Sequence, residues 1–567
     1  MKRQYMIFAG ALLLSTLGVT ASYALSPDNE NDPQLTSIKT EIDRNMKGLK
    51  LKNMAGPFYI EYRMGDIKSI NIRATRGNLI GSYLYAFRNG APTVLVGDYN
   101  MNNLNAVTSY DQLYGYGNYP AGMVQGDNDA VIRTTIWKGL DSKYKTAAEL
   151  YSNKKGLLNQ MTIPEEERNI PDFQQMTAST HIFPTRPIEF KKTELENYIK
   201  KASEVFKEYK ELNNSEVSLY GVNGEKRYYN SEGTICHYPD NLIWITISTR
   251  SQTTDGQEMQ QEKALLFESI EELPDQATLQ AICKEQAELM IKKLAANMIK
   301  EAYVGPVLFE GEAVADLLEK YMADSEKGIL AKRKVIASDE MSRYGGSMLN
   351  ENSLESMVNK KVISRDLSLT SLTGTAEYKG KRLLGHYEVD AQGVVPDKEL
   401  VLIEDGVLRN MLMNRTPTKK FRKSNGHARV SIDNNRVTLQ PGVLRLSCKS
   451  GQSPEKIKKQ LIAAAKEEDY PYAYIVRKIN GDTPSELYRI NVKDGSEELV
   501  RGANIQNMTL RSFKRVSAVG NKENICNRMT GGVKSTYIVP SSLLFDEVDI
   551  VRDAKLVLKK DYIVDKP

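Results

Sequence analysis

Histidine is scarce in this chain of 567 residues: there are four, His181, His237, His386 and His427. None has a second histidine three to five residues away, so no helix offers the paired imidazole face of a helical zinc site. All four read as surface or hydrogen-bonded side chains, and only a site assembled from distant histidines stays open. The four cysteines, Cys236, Cys283, Cys448 and Cys526, are far apart and form no C-x-x-C pair. That excludes a thiolate zinc knuckle and a disulfide scaffold, leaving at most one long-range bridge. There is no G-x-S-x-G elbow, no P-loop and no G-x-G-x-x-G, so the common serine-hydrolase and nucleotide signatures are missing. Charges of both signs alternate, as in KKTELENYIKKASEVFKEYKEL, and the net charge is only +5. No basic block carries interleaved aromatics, so no nucleic-acid partner is expected.

The first residues are distinctive. Lys2 and Arg3 precede an apolar stretch from Ile7 to Val19, and Ser22-Tyr23-Ala24 supplies a small-x-small cleavage site. Residues 1–24 are expected to be a secretory signal peptide, with an uncleaved anchor as the alternative. No cysteine follows the apolar stretch closely, so a lipid anchor is not expected. No later apolar run is long enough to span a bilayer. The mature protein is therefore expected to be exported, to the periplasm, with no membrane span after signal removal.

The remaining length is too great for one core and implies two or more domains. The expected fold class is α+β. Residues 25–303 read as an N-terminal α+β domain, with a first helix over Leu35–Leu51 and long helices near 131–161, 194–212 and 276–302. Period-two segments (PFYIEYRMGD, KSINIRATRGN, SYLYAFRNG, PTVLVGDYNM) read as successive strands, with Arg88-Asn89-Gly90 as a hairpin turn. Shorter strands are expected at 217–220, 227–230, 234–237 and 242–251. In the third long helix, Ile282, Leu289 and Ala296, with Leu279 and Cys283 beside them, read as the core stripe. Residues 304–567 read as a strand-rich C-terminal domain interrupted by a helix over 454–468, with Ser453 as its cap and Pro454 at its first position.

The chemistry concentrates in AYVGPVLFEGEAVADLLEKY, Ala302 to Tyr321. A short apolar strand delivers Glu310 and Glu312 to the start of a helix. One reading makes them a general base or a metal carboxylate; the other, favoured by spacing alone, makes them an acidic pair complementing the helix dipole. S-x-x-K occurs at Ser142-Lys145 and Ser453-Lys456, both on predicted surface helices, which gives serine–lysine catalysis little support. Asp98 to Asn105 is dense in oxygen ligands but lacks calcium-loop spacing, and reads as Asx turns at a hairpin end.

Several segments together resemble the TldD/PmbA family of predicted zinc-dependent peptidases: YYNSEGT (228–234), VGPVLFEGEAVADLL, DAQGVVPDKELVLIEDGVLRNMLMNR (390–415), NGHAR (425–429), KSGQSPEKI (449–457), RGANIQNM and VGNKENIC (519–526). Their order matches over about Leu35 to Arg552. The resemblance implies an N-terminal α+β domain, a C-terminal domain of curved β-sheet around a central helix, and dimers. Where zinc-bearing members have H-E-x-x-x-H, this chain has Phe309 to Val314. Phe309 and Val314 thus replace the two histidines, Glu310 falls at the general-base position, and Cys526 at a further metal-ligand position. Apolar side chains cannot bind zinc, and one carboxylate with one thiolate falls short of three protein ligands. No cofactor is therefore expected.

The pattern resembles the metal-free, PmbA-like half of the family. The expected function is the non-metal subunit of a peptidase complex acting on extended peptides, paired with itself or with a zinc-bearing TldD-like subunit. The alternatives are a peptidase active alone through Glu310, Glu312 or Cys526, and a periplasmic peptide-binding protein without turnover.

Overall fold

The computed structural model describes residues 32–110, 121–324, 326–432, 435–556 and 558–559, so the expected signal peptide lies outside the described residues. Two 19-residue strands, β1 (Pro57–Thr75) and β2 (Asn78–Val96), form one long antiparallel hairpin. Its turn is Arg76-Gly77, with φ of 46° and 80°. Two successive positive φ values are the type I′ geometry that matches strand twist. The expected turn at Arg88-Asn89-Gly90 is therefore corrected: these residues sit inside β2, opposite Asp66, Gly65 and Met64. Buried Arg88 is drawn into the sheet by Asp66, at 2.5 Å, and by Asp127, at 3.1 Å.

The next strand is also longer than its alternation suggests. Strand β3 (Asn214–Asn230) runs unbroken through Gly221 and Gly224, where the period-two signal lapses. A side chain at Gly221 would meet the Phe190 ring at 2.7 Å, so the glycine marks a close packing contact. Strand β3 pairs with β1 on one side; on the other it splits between β4 (Ile235–Pro239) and β5 (Leu242–Gln252). Strand β6 (Glu258–Phe267) pairs with β5 and ends that branch.

Four helices cover this sheet: α1 (Pro33–Gly48), α2 (Asp129–Gln160), α3 (Lys192–Ser203) and α4 (Gln276–Ala295). The Asn128 side chain caps α2 by accepting the Val131 N–H. Ile38, Ile42, Ile132 and Ile136 pack on Ile60, Val94 and Val96 at one end. Leu195, Ile199, Leu279, Cys283 and Met290 pack on Ile70, Leu219 and Ile245 at the other. The deepest line of α4 is Leu279–Cys283–Ala287–Met290, so Ile282 and Leu289 lie at its flank, only half-buried.

Two helices end earlier than their periodicity implies. Helix α3 gives way at Ser203 to a tighter 3-10 turn, Glu204–Glu208, which keeps Phe206 in the core. Helix α4 stops at Ala295 because Asn297–Met298 pairs in parallel with Val500–Arg501.

The C-terminal half is built around β7 (Tyr303–Glu310) and α5 (Glu312–Tyr321), followed by β8 (Leu367–Ser371), β9 (Val443–Cys448), α6 (Pro454–Glu467), β10 (Tyr472–Asn480), β11 (Glu523–Thr530), β12 (Val533–Pro540) and β13 (Ser542–Arg552). Strand β7 lies inside a nine-stranded sheet, parallel to β10 and antiparallel to β13. Helix α5 packs Val314, Leu317 and Leu318 onto one face, against Phe309, Val476 and Phe545. A second sheet, containing β8, β9, β11 and β12, closes over it with Leu369, Leu444 and Tyr537. On the other face α6, capped by Ser453, packs Ile457 and Leu461 on Leu308 and Ile475. A helix enclosed between two sheets in a mixed α+β chain is the architecture the sequence implies.

Several side chains join the halves, among them Lys226, Lys534 and Arg415. Arg415, wholly buried, donates to the Gln174 carbonyl at 3.0 and 2.6 Å, to Glu232 at 2.7 Å and to the Tyr59 hydroxyl at 3.2 Å. Its guanidinium stands 4.2 Å from the centroid of the Phe173 ring. Removing one partner of a buried ion pair costs about 3–5 kcal/mol. Arg415→Ala is expected to lower the urea midpoint accordingly, and Arg415→Lys, which keeps the charge but not the fork, to recover only part of the loss.

Candidate functional site

The corner between β7 and α5 turns on Gly311, whose φ is 62°. Its N–H donates to the Ser541 carbonyl at 3.0 Å, so the link between β12 and β13 holds the turn in place. Glu310 and Glu312 leave this corner in different directions, as their spacing requires. Arg477 on β10 donates to Glu310 at 3.1 Å and to Glu497 at 2.7 Å. Glu312 instead faces β6: Lys263 of that strand bonds it, and Lys478 of β10 lies 3.5 Å from its other oxygen. Lys478 also donates to the Glu262 carbonyl of β6 at 2.5 Å. The two lysines therefore clasp one carboxylate from opposite walls of a cleft.

The acidic face continues along the helix. Glu312, Asp316 and Glu319 are spaced i, i+4, i+7 and share one side of α5. Arg528 on β11 holds Asp316 at 2.5 Å and Glu319 at 3.2 Å. Burial pushes the Glu312 carboxyl up, but Lys478, Lys263 and Arg528 outweigh it and hold the group at about 2. Asp316 moves the other way, raised by burial more than Arg528 lowers it. Cys526, half-buried on β11, faces the same space, and burial pushes its thiol up.

The clasp divides the space between the halves in two. A cleft of about 650 Å³ lies on one side, lined by Trp244, Leu266, Asp316, Asn480 and Cys526. A cleft of about 470 Å³ lies on the other, lined by Glu310, Arg477, Glu486 and Ser542. Strand β6 runs along both. Among the described residues it pairs with β5 alone, so its outer edge is a row of open main-chain groups. Because the Glu262 carbonyl points outward to Lys478, the two-residue period turns those of Gln260, Ala264 and Leu266 outward as well.

The positions that would carry zinc do not fit it. Phe309 is fully buried, edge-on to Phe545 at 5.3 Å between centroids, and Val314 is fully buried in the same core. Neither offers a donor atom, and Glu310 is taken by Arg477. The four histidines are dispersed: His237 bonds Glu225 at 2.7 Å inside the N-terminal sheet, and buried His427 bonds Ser371 at 3.0 Å. Among the described residues no group of three or more His, Cys, Asp and Glu is placed to hold a metal ion. Elsewhere, Asp98 accepts the N–H groups of Asn100 and Met101, the Asx turn expected there.

Lys263, Lys478, Arg477, Arg528 and Asp316 complete this site, and the sequence reading did not single them out. The acidic face of α5 is legible as E-x-x-x-D-x-x-E in Glu312–Glu319. The cations arrive from three distant strands and carry no local signal.

A two-sheet shell around one helix, entered by an E-G-E corner, defines the class: the PmbA/TldD architecture. Residues 302–552 match the family model of the PmbA/TldA metallopeptidase C-terminal domain. The whole fold is similar to that of a candidate modulator of a DNA gyrase from Thermotoga maritima, at 16% identity and a TM-score of 0.55, covering 87% of this chain and 96% of that one. TldE from Thermococcus kodakarensis is similar at 12% identity and a TM-score of 0.54, covering 91% of this chain and 100% of that one. A candidate modulator of DNA gyrase from Bacteroides thetaiotaomicron is similar at 12% and 0.55, covering 91% and 98%. No curated protein matches the sequence. Residues 302–552 thus carry a PmbA/TldD-type C-terminal domain, and the chain as a whole has the fold of the TldE-like structures.

A carboxylate whose folded pKa is depressed stabilises the fold above its unfolded pKa and loses that contribution as pH falls toward the folded value. Glu312→Gln should therefore be destabilised by a constant amount between pH 8 and 5, and the gap should shrink between pH 4 and 2. Urea midpoints of both proteins across this range measure it.

Proposed function

We propose that this chain is the metal-free subunit of a peptidase assembly, exported to the periplasm, which binds extended peptides and leaves hydrolysis to a zinc-bearing relative. Its partner in the assembly is a second copy or that TldD-like relative. The observation that carries the reading is the contrast within one corner: the two histidine positions are Phe309 and Val314, closed into the core, while the cleft beside them keeps an open strand edge. Main-chain groups along such an edge bind any peptide in extended form, by adding a strand. A cleft with Trp244 and Leu266 on its wall supplies apolar contact for side chains on one face of that strand.

Catalysis by the chain alone has less support. Glu310 and Glu312 are both held by cations, and without a metal, water keeps a pKa of about 15.7 rather than about 7. The raised Cys526 thiol has little thiolate to attack with.

Elemental analysis of the purified protein is expected to find far less than one zinc per chain, and no peptidase activity that a chelator removes. Trp137→Phe leaves Trp244 as the single tryptophan, and its fluorescence should then respond to an unstructured hexapeptide. One zinc per chain, or chelator-sensitive turnover by the chain alone, would overturn the metal-free assignment.

A further inference from the structure

Far from the cleft, the hairpin end of β2 presents a second open edge of different character. From Asn78 to Phe87 the sequence reads NLIGSYLYAF, ten residues without a charge in a chain that is 26% charged. Leu79, Ile80, Tyr83, Leu84 and Tyr85 are all exposed, between 40% and 54%. On its inner side this stretch is paired to β1 throughout; on its outer side the short strand Ala121–Met123 covers only Arg88 to Gly90. Edge strands of monomeric proteins are ordinarily guarded by charge, by proline or by a covering element. Here none of the three lies along Gly81 to Tyr85 among the described residues. A register shift near the turn, between Arg73 and Ala74 of β1, leaves the regular part of the edge as the stretch beyond Ile80.

The main-chain directions say what fits. The Ala86 carbonyl faces outward, since the Gln125 side chain donates to it, so the N–H and C=O groups of Ser82 and Leu84 face outward too. These are satisfied by another strand. We propose that this strand is the same segment of a second copy, antiparallel about a two-fold axis at Tyr83. Ser82 of each copy then pairs with Leu84 of the other, giving four main-chain hydrogen bonds. Tyr83 faces its own counterpart, and Gly81 faces Tyr85. An uncharged segment brings no like charges together when paired with itself, whereas a partner chosen by charge has nothing here to recognise. An isologous contact of this kind closes at two copies, which is how an unguarded edge avoids open-ended aggregation. The inference rests on the two-chain assembly proposed above and assigns it a surface.

Tyr83 lies on the proposed axis and is more than half exposed, so its replacement leaves the fold intact and places two like charges face to face. In sedimentation equilibrium the wild-type chain is expected to have the mass of two copies, and Tyr83→Lys and Tyr83→Glu each to dissociate at least tenfold more readily. An equimolar mixture of the two variants should recover the two-copy mass. Tyr83→Cys should give a disulfide-linked pair on mild oxidation that the wild type does not. A wild-type dimer indifferent to Tyr83→Lys, or a mixture that stays dissociated, would sink the edge pairing while leaving the assembly. A monomeric wild type would overturn the self-pairing and leave an assembly with a zinc-bearing relative standing.

Discussion

Among the buried cations that join the two halves, Arg415 is the most enclosed. Arg415 belongs to the C-terminal half by sequence, yet its partners are Tyr59, Phe173, Gln174 and Glu232 of the N-terminal half. A guanidinium removed from water is costly unless each face and edge is used. Here the edges donate to two carbonyl contacts, a carboxylate and a hydroxyl, and the face lies on an aromatic ring. The contact fixes the orientation of the N-terminal sheet on the β7–α5 body. It acts together with Lys226 and Lys534, which also cross between the halves, and with the lysine clasp that ties β6 to Glu312.

The cleft shows how an acidic corner is balanced by cations of the chain itself. Three carboxylates on one side of α5 would repel one another if left alone. Lys263, Lys478 and Arg528 neutralise them, each from a different strand. Two of these cations belong to the C-terminal half and one to β6, so charge balance in the corner also holds the two halves together. The ammonium groups favour the ionised form of Glu312 through charge, against the cost of its burial.

Much of this was legible in the sequence, and the exceptions have physical causes. The β7–α5 corner and the Ser453 cap were both read from local patterns, because an apolar strand, a small turn and a capping side chain are local events. Helix ends at Ser203 and Ala295 were missed because the packing of Phe206 and the sheet pairing of Asn297–Met298, not propensity, set them. Arg88-Asn89-Gly90 has the composition of a turn, but Asp66 and Asp127 lie far away in sequence and pull the arginine into the sheet. In the same way Phe309 and Val314 were recognisable as non-ligands from residue type alone. That they are closed into a core with Phe545 was not, since β13 begins more than two hundred residues later.

That separation shapes how the protein folds. Strand β7 finds its parallel neighbour at Tyr474–Val476 and its antiparallel neighbour at Ser542–Ile550. Both pairings close very long loops, which are entropically slow to form. The N-terminal hairpin of β1 and β2 closes through a two-residue turn and needs no such wait. The corner bearing Glu310 and Glu312 is thus among the last parts of the molecule to take shape, and a chain emerging from synthesis carries an ordered first half well before it has a site.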